Sequence, residues 1–553
     1  MNLTNLASRQ VCWLLLFAIL AVAPMLIRGI PGGNDAVQHH EFAQHVVDAI
    51  RAGEWFPHFA GNANHGFGDV GLRVYPPLSY YALAIAYFAV GDWYTAGIAV
   101  FFLIFLIGGF GVFLWSREFF DHNSSLTAAA IYTFAPFHLN EIYNNFLFAE
   151  FAAGAILPFC FLFLTRVIRD SNLHNILFLS ISYAFLISTH LPITIIGSIA
   201  LALYAVAMIR LSSLATYVRL GVSVIVSLLL SSFYWVRMIT EMQIVKHSQP
   251  KYFANIWSYN ENFLFSSRTF TDFLNDGQSL WFGDLIFAAT ILICIPSIFA
   301  LRKTDQWKNY GLQLVIPLAT AVFFATPISY LIWNNLSLLQ KVQFPWRWLH
   351  IATLTAAVVV GAGSVAIVRR TRGANIDATA FALAAGILPF VFLSAFVVRA
   401  PHFTSRQEFA ERARRLSEAE TFEGWWPEWA NRAAFSRKEK IDASGRNATL
   451  DEWLPTKRSF SVDEGAAGLV SISTFYYPHW LASIDGEPVA TDVSDDGVIL
   501  LQIPNQRVHV ELNFVEPTLV RVSIWVSTIG WFLVIGILIF LYTCKVKSYG
   551  TYR

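Results

Sequence analysis

Long apolar runs alternate with short polar segments along the 553 residues of this chain. An apolar run of about 20 residues can cross a bilayer as a helix. We predict about twelve such spans, at residues 11–28, 94–115, 124–137, 149–168, 174–189, 192–209, 219–236, 281–300, 310–324, 349–368, 378–398 and 518–543. The pattern therefore predicts a polytopic α-helical membrane protein.

Basic residues give these spans an orientation. The positive-inside rule assigns basic turns to the cytoplasm, and here they occur at alternate turns, with Arg117, Arg166, Arg169, Arg210, Arg219, Arg302, Lys303, Lys308, Arg369, Arg370, Arg372, Lys545 and Lys547. The apolar segment 77–90 would break the alternation as a span. Because it is short and begins at a proline pair, it fits a helix in the outer interface. Residues 29–93 then form one large outward loop, and both termini face the cytoplasm.

The last outward segment has the pattern of a folded domain outside the membrane. After a charged helical piece, short alternating runs such as 508–514 begin at about residue 456, and Asp485-Gly486 is typical of a hairpin turn. We therefore predict three parts, which are a membrane module at 1–398, a β-sandwich-like extracytoplasmic domain at 399–517 that is β-rich from about 456, and a last span with a short cytoplasmic tail at 518–553.

Composition agrees with this topology. The chain is 56% hydrophobic and only 14% charged, with a mean hydropathy of +0.50, whereas soluble proteins average about 25% charged residues. A net charge of +1 provides no concentrated basic surface, so we expect no nucleic acid partner. The four cysteines lie in or beside apolar runs without metal or redox spacing. We expect no disulfide framework and no nucleotide or redox cofactor.

The loop 29–93 concentrates polar chemistry in an otherwise apolar chain. Asp35 follows Pro31-Gly-Gly33 just beyond the first predicted span, where glycine lets the backbone approach a ligand closely. A carboxylate at the edge of the membrane can serve as a general base if partial burial raises its pKa. The alternative is a solvated loop aspartate without a catalytic role.

Three further residues of this loop, His39, His65 and Asp69, are candidate ligands for a divalent cation. Their spacing matches no diagnostic metal motif. The alternative is that they form hydrogen bonds within the loop or face lipid headgroups. A divalent cation is nevertheless the one cofactor that the sequence suggests.

Polar residues at the outer ends of spans form a second candidate group. Glu150 and His190 lie beside apolar runs, where an ionisable side chain is costly and indicates a functional site. Arg347 stands among the aromatics of Gln343-Phe-Pro-Trp346-Arg-Trp348, where a loop re-enters the bilayer. Its guanidinium matches phosphate oxygens, which favours a lipid phosphate as its ligand. The alternatives are snorkelling to the interface and an ordinary aromatic belt.

These motifs together resemble the GT-C superfamily of integral membrane glycosyltransferases. The resemblance covers most of the chain, and it lies in the early acidic residue Asp35, in Gly66-Phe-Gly-Asp69 and in Tyr75-Pro-Pro-Leu78. Gln343-Phe-Pro-Trp-Arg347 and the terminal Tyr476-Tyr-Pro-His-Trp480 with Ile484-Asp-Gly486 are similar to bacterial membrane proteins called 6-pyruvoyl-tetrahydropterin synthase-related and YfhO-like. The pterin in that family name implies no pterin chemistry.

The resemblance implies transfer of a sugar, with inversion, from a polyprenyl-phosphate donor to a glycan, lipid or protein acceptor. It implies the extracytoplasmic face of the bacterial inner membrane as the location, and membrane lipids, the donor and the acceptor as partners. The general base of such enzymes is the early acidic residue, here Asp35. No second acid stands beside it, so metal binding by paired acids is not implied. The residues expected to bind substrate are Arg73, Tyr75, Glu150, His190, Gln343, Trp346 and Arg347.

Two other classes of function are weighed against this one. A flippase or transporter of lipid-linked glycans needs ionisable residues near the middle of several spans, and the predicted spans are nearly free of them. A non-catalytic membrane scaffold would use the domain at 399–517 to bind glycan or a partner protein. The glycosyltransferase is therefore the leading hypothesis.

Overall fold

The computed structural model describes residues 8–33, 35–170, 172–208, 214–274, 280–372, 391, 393–395, 397–398 and 402–550. Its α-helices are Ser8–Arg28, Ala36–Arg51, Gly71–Val74, Leu78–Val90, Trp93–Ser116, His122–Thr133, Pro136–Asn140, Phe148–Arg169, Leu173–Thr189, Leu191–Met208, Leu214–Leu230, Ser232–Glu241, Ser267–Leu274, Leu280–Leu301, Asp305–Ala325, Tyr330–Asn335, Ser337–Gln340, Leu349–Arg372, Arg406–Ala413 and Thr518–Gly550. A π-helix covers Glu141–Asn145. The 3-10 helices are Asn64–Gly66, Met242–Ile244, Lys246–Ser248, Pro250–Phe253, Asn255–Trp257, Tyr259–Asn262, Pro327–Ser329, Pro345–Trp348, Glu423–Trp425 and Arg432–Ser436.

Among the described residues, seven helices are long and apolar enough to cross a membrane, and they are Arg9–Arg28, Trp93–Ser116, Phe148–Arg169, Leu191–Met208, Trp281–Leu301, Pro345–Arg370 and Thr518–Cys544. Two further apolar segments are bent. The bend is 72° between Leu214–Leu230 and Ser232–Ile244, and 82° between Asp305–Ala325 and Pro327–Asn335, which gives nine spans if each pair counts as one. The chain is a multi-pass membrane protein, as its apolar runs predict.

The described part of the chain contains fewer membrane spans than the predicted twelve. Residues 124–137 form no continuous span, because a helix ends at Thr133 and another begins at Pro136. A proline ring inside a continuous helix clashes with the carbonyl four residues earlier, whereas the first helical position accepts it. Leu173–Thr189 is apolar but has only 17 residues. The predicted span 378–398 lies almost entirely outside the described residues.

Small residues let the central helices approach closely. Leu349–Arg372 packs against His122–Thr133 and Leu280–Leu301, and a Cβ on Gly361 would lie 2.6 Å from the backbone nitrogen of Ala128. Helices in a membrane gain no hydrophobic free energy from meeting each other, so they associate through such close contacts. The same packing brings the start of Leu349–Arg372 beside the short helix before the π-helix.

The C-terminal region forms two antiparallel sheets, which confirms its β-rich fold. The four-stranded sheet has the order Ile441–Asp442, Gly468–Phe475, Val498–Ile503, Asp492–Val493, and the five-stranded sheet has the order Ala448–Leu454, Lys457–Val462, Val508–Phe514, Trp480–Ile484, Glu487–Val489. Along Val508–Phe514 buried and half-buried positions alternate. Asp485 and Gly486 both have positive φ and form the two-residue turn between paired Ile484 and Glu487.

The start of the first predicted outward loop is tied to the C-terminal region. Ile30 pairs with Thr404 and Pro31 with Phe403 in a short antiparallel ladder. Further along the loop, the carbonyl of Phe67 accepts a hydrogen bond from the backbone N–H of Phe475 at 2.8 Å. These backbone contacts fix the position of the loop that carries Asp35.

Candidate functional site

Asp35 lies at the junction between this strand ladder and the helix Ala36–Arg51. It is the N-cap residue of that helix, yet its carboxylate makes no capping hydrogen bond. Gly33 packs directly on the end of the π-helix, since a Cβ there would lie 2.5 Å from the carbonyl carbon of Asn145. The backbone of Asp35 is therefore held on both sides, while its carboxylate is not engaged by its own helix.

The surroundings of Asp35 make it a stronger base than an ordinary aspartate. Burial raises its pKa to about 6, the positive charge of Arg347 lowers it, and the negative charge of Glu150 raises it. These opposing effects mean that the three charged groups lie close enough to interact. A carboxyl group with a pKa near 6 is ionised at neutral pH and is well matched to general-base catalysis.

Arg347 and Glu150 form a buried ion pair beside Asp35. Arg347 belongs to the 3-10 helix Pro345–Trp348, and its Nε lies 2.8 Å from Oε2 of Glu150, in the first turn of Phe148–Arg169. The guanidinium also lies over the ring of Phe344, 4.7 Å from its centre. Nη1 donates to the carbonyl of Val342, whereas Nη2 has no hydrogen bond within the part of the chain described here. One edge of the guanidinium therefore remains available to an anion.

Tyr75 and His190 complete this group. Burial raises the pKa of Tyr75, with a further increase from the negative charge of Asp35. His190 follows Leu173–Thr189, and its Nδ1 accepts a hydrogen bond from the backbone N–H of Ile193 at 3.4 Å. It interacts electrostatically with Glu150 and Arg347. The structure thus brings together Asp35, Tyr75, Glu150, His190 and Arg347, all of which the sequence singled out.

Gln343 and Trp346 shape the turn that carries Arg347. Gln343 has a positive φ of 66° and donates from Nε2 to the carbonyl of Tyr252 at 2.8 Å. Trp346 is half-buried and stacks on Phe344, with ring centres 5.3 Å apart and an interplanar angle of 13°. Both residues therefore lie next to the site, and their contacts fix the direction of the guanidinium.

Arg73 belongs to a different cluster. It donates two hydrogen bonds to Glu241, two to Glu516 and one to the carbonyl of His58, at 2.5–2.9 Å. A guanidinium has five N–H donors, so each of them is used within the protein. The expectation that Arg73 binds a substrate phosphate does not fit this geometry, because Arg73 has no donor left for one.

The predicted metal ligands do not assemble. Nδ1 of His39 lies 2.8 Å from the hydroxyl of Tyr80, and the ring of His65 packs edge-on against Phe435. Asp69 accepts hydrogen bonds from Thr421 Oγ1 at 2.6 Å and from a backbone N–H, and burial raises its pKa to about 6. His39, His65 and Asp69 are thus satisfied by separate partners, and as a set they do not fit a divalent cation.

Three other buried groups do come together beside the ion pair. One ligand atom from each of His138, Glu141 and His350 lies within 4.8 Å of the others. Nε2 of His350 is 2.7 Å from Oε1 of Glu141 and 3.3 Å from Oε1 of Glu150. We assigned none of these three a role from the sequence. The signal that singled out Glu150, an ionisable residue beside apolar runs, applies to Glu141 and His350 as well.

Comparison with known families gives one match that covers more than half of the chain. The model of a family described as 6-pyruvoyl-tetrahydropterin synthase related domain, a membrane protein, matches residues 72–400. No curated protein is significantly similar to the sequence.

Several solved membrane proteins share a distant structural likeness. They include the apo oligosaccharyltransferase of Archaeoglobus fulgidus (14% identity, 80% of this chain and 59% of that chain, TM-score 0.41). ArnT from Cupriavidus metallidurans bound to undecaprenyl phosphate has 13% identity, 74% and 76% coverage and a TM-score of 0.40. The arabinofuranosyltransferase AftD from Mycobacteria has 13% identity, 72% and 27% coverage and a TM-score of 0.44. This chain spans 59% of the length of the archaeal enzyme.

Proposed function

We propose that this chain, which belongs to the family of membrane proteins with a 6-pyruvoyl-tetrahydropterin synthase related domain, is a glycosyltransferase that uses a polyprenyl-phosphate-linked sugar. The grouping of Asp35 with Glu150 and Arg347 carries the proposal. Sugar transfer from a lipid phosphate requires a base for the acceptor hydroxyl and a cation for the leaving phosphate. The group contains one of each, and we place it at the extracytoplasmic face of a bacterial inner membrane.

In the proposed reaction Asp35 takes the proton of the acceptor hydroxyl as the hydroxyl oxygen attacks the anomeric carbon of the sugar. The attack comes from the face opposite the phosphate. A carbon–oxygen bond forms to the acceptor, and the bond from the anomeric carbon to the phosphate oxygen breaks with its electron pair. The configuration at that carbon therefore inverts, and polyprenyl phosphate leaves as an anion.

Arg347 stabilises this leaving group. Its Nη2 donates to a phosphate oxygen, and its positive charge offsets the negative charge that develops on the phosphate. Glu150 keeps the guanidinium oriented through Nε, and the guanidinium packs on the ring of Phe344. In the proposed complex Tyr75, His190 and Trp346 contact the sugar, and Gln343 holds the turn through its hydrogen bond to Tyr252.

A polar groove along the helix Ala36–Arg51, whose N-cap residue is Asp35, is the proposed route for the acceptor. It has a volume of about 350 Å³ and is lined by Val37, Glu41, Glu408, Glu411, Arg412, Arg415, Leu416 and Ala419. Val37 lies two residues beyond Asp35 on the same helix. A charged lining of this kind favours a hydrophilic acceptor, whereas the prenyl chain of the donor remains in the lipid phase.

The base assignment is tested by Asp35→Asn with Asp48→Asn as the matched control. Asp48 is an aspartate of the same helix that accepts hydrogen bonds from Gln44 and Ser417. We expect Asp35→Asn to lower transfer by at least about 100-fold, the usual contribution of a general base, and Asp48→Asn to retain most of it. The measurement is release of polyprenyl phosphate in proteoliposomes supplied with a panel of polyprenyl-phosphate hexoses and pentoses.

Two outcomes would contradict this proposal. Wild-type rates in a correctly inserted Asp35→Asn variant would remove Asp35 as the base. If the wild-type chain released no polyprenyl phosphate from any donor of the panel in the presence of sugar, lipid and peptide acceptors, the reaction itself would be wrong.

A further inference from the structure

The cluster of His138, Glu141 and His350 lies next to the proposed site, but the reaction proposed above does not use it. Each of these side chains is only 1% exposed. They come from two parts of the chain, since His138 and Glu141 belong to the helical turns after Pro136, and His350 to the first turn of Leu349–Arg372. A buried set of ionisable residues in a membrane protein needs a reason, because each member is costly there.

The local helical structure places two of these side chains on the same face. His138 and Glu141 are three residues apart in consecutive helical turns, so they lie on the same face. Glu141 opens the π-helix Glu141–Asn145, and Phe146 follows it with φ of 54°. Such π-turns are rare in proteins, and those that occur frequently lie at functional sites.

A backbone carbonyl selects the tautomer of a neutral His138. Its Nδ1 lies 3.0 Å from the carbonyl oxygen of Tyr132. A carbonyl can only accept a hydrogen bond, so Nδ1 carries the proton and Nε2 of the neutral ring presents a lone pair. Metal-bound histidines are held by this arrangement, in which the second nitrogen donates to a carbonyl or carboxylate.

Several buried polar atoms in and around the cluster make no hydrogen bond of good geometry within the described residues, and they are Nε2 of His138, both carboxylate oxygens of Glu141, both ring nitrogens of His350 and Oε1 of Glu150. Nε2 of His350 nevertheless lies at ion-pair distance from Glu141 and Glu150. Buried polar atoms are almost always satisfied in native proteins, and a set that converges on one point calls for a shared partner. The space for His350 exists only because residue 154 is glycine, since a Cβ there would lie 2.7 Å from Nδ1 of His350.

We infer that His138, Glu141 and His350 bind a divalent transition-metal ion. Two imidazole nitrogens and a carboxylate oxygen suit zinc, iron or manganese, whereas calcium and magnesium prefer oxygen ligands throughout. Zinc is the best match because it accepts this donor set in a tetrahedral site with a fourth ligand. Oε1 of Glu150, 3.3 Å from Nε2 of His350, is the nearest further donor.

A metal-free ion-pair network is the competing explanation. In that case a protonated His350 would bridge Glu141 and Glu150, which lie 2.7 and 3.3 Å from its Nε2. This network engages Nε2 of His350, but it leaves the lone pair of His138 Nε2 without a partner within the described residues. A bound cation would engage one ligand atom of each of the three residues, including Nε2 of His138, and it would leave Oε2 of Glu150 on Arg347.

The inference is tested by the metal content of the full-length protein, purified in detergent with a tag that contains no histidine. We expect elemental analysis to find about one zinc, iron or manganese ion per chain. After treatment with a chelator, the melting temperature should fall and should recover on addition of Zn²⁺. The variants Glu141→Gln and His138→Gln should bind Zn²⁺ at least about tenfold more weakly, the loss seen when even outer partners of metal sites are removed.

His45→Gln is the matched control. His45 is also buried, at 4% exposure, and both its ring nitrogens lack partners in the described structure, but it belongs to the helix Ala36–Arg51. It should bind Zn²⁺ like the wild-type chain. If the site variants do not fold, X-ray absorption at the metal edge of the wild-type protein reads the ligands directly, and two histidines with one or two oxygens are expected.

Any of three results would overturn the metal site. One is a wild-type chain that holds no metal and, after chelation, responds to neither Zn²⁺, Fe²⁺ nor Mn²⁺. Another is unchanged Zn²⁺ affinity in Glu141→Gln or His138→Gln. The third is an absorption spectrum of the wild-type protein without histidine ligands. The readouts are independent of sugar transfer, so failure of the proposed reaction would leave this inference intact, and the reverse also holds.

Discussion

At the scale of single residues, the pKa of Asp35 depends on its burial and on the charges of two neighbours. Burial raises its pKa to about 6, and the neighbouring Arg347 and Glu150 shift it in opposite directions. In the proposed reaction Arg347 stabilises the leaving phosphate, so its effect on the pKa of Asp35 could not be removed without loss of that stabilisation. Glu150 offsets part of that effect while it orients the guanidinium, and the two residues therefore act on both ends of the proposed transfer.

The pH dependence of transfer should show this balance. Asp35 must be ionised to act as a base, so kcat/KM should fall about tenfold per pH unit below its pKa of about 6. Glu150→Gln removes a negative charge that raises this pKa, and the acidic limb of the profile should therefore move to lower pH. The profile is measured for both proteins from about pH 5 to about pH 8. An acidic limb that does not move in Glu150→Gln would contradict the coupling.

The sequence identified residues better than it identified their partners. Glu150 and His190 could be singled out because an ionisable side chain beside apolar segments is costly. Asp35 was singled out by its place in the outward loop, Arg347 by its aromatic loop and Tyr75 by the family resemblance, and the structure places all five together. Their catalytic and binding roles remain predictions. Closeness in sequence was a poor guide to which residues share a site. His39 and Asp69 belong to the same loop, but His39 contacts Tyr80 and Asp69 contacts Thr421. A side chain's direction depends on contacts with distant segments, which local sequence does not contain.

At the scale of elements, apolar length predicted where helices are but not where they break. The long runs that became Trp93–Ser116 and Phe148–Arg169 were predicted within one residue at each end. Two of the breaks between helices occur at single prolines. Pro136 stops one helix and starts the next, and Pro327 opens the 3-10 helix at the 82° bend. The π-helix Glu141–Asn145 has no such marker, and its sequence alone does not distinguish it from an α-helical turn.

The packing of Gly33 on the π-helix gives a prediction at this scale. In Gly33→Ala the new Cβ would lie 2.5 Å from the carbonyl carbon of Asn145, so the backbone before Asp35 must move. A displacement of about 1 Å can cost about 100-fold in rate, and we expect a loss of this order in transfer. Gly221→Ala is the control, because a Cβ there meets open space. Equal activity of the two variants in proteoliposomes would show that this contact does not position the base.

At the scale of the whole molecule, one buried charge cluster joins parts of the chain that are far apart in sequence. Arg73 of the first predicted outward loop binds Glu241 and Glu516, and Arg237 also contacts Glu516 at 3.2 Å. Tyr477 of the C-terminal region donates to Glu241 at 2.7 Å. Composition and periodicity predicted a helical membrane part with a β-rich domain. They did not predict how the two parts join, because that contact depends on residues hundreds of positions apart.

This cluster should be a main source of stability where the loop, the β-rich region and the last span meet. Its two arginines and two glutamates balance in charge, and Arg73 and Glu516 are 1% and 5% exposed. Arg73→Met leaves two buried carboxylates with one arginine, so we expect a loss of about 3–5 kcal/mol in the free energy of unfolding. Adding Glu516→Gln should restore part of it, because the excess negative charge is removed. Lys308→Met, which breaks an exposed pair with Asp305, should cost less than about 1 kcal/mol. Denaturant unfolding of the detergent-solubilised variants measures all three, and an Arg73→Met chain as stable as Lys308→Met would mean that the cluster does not hold these parts together.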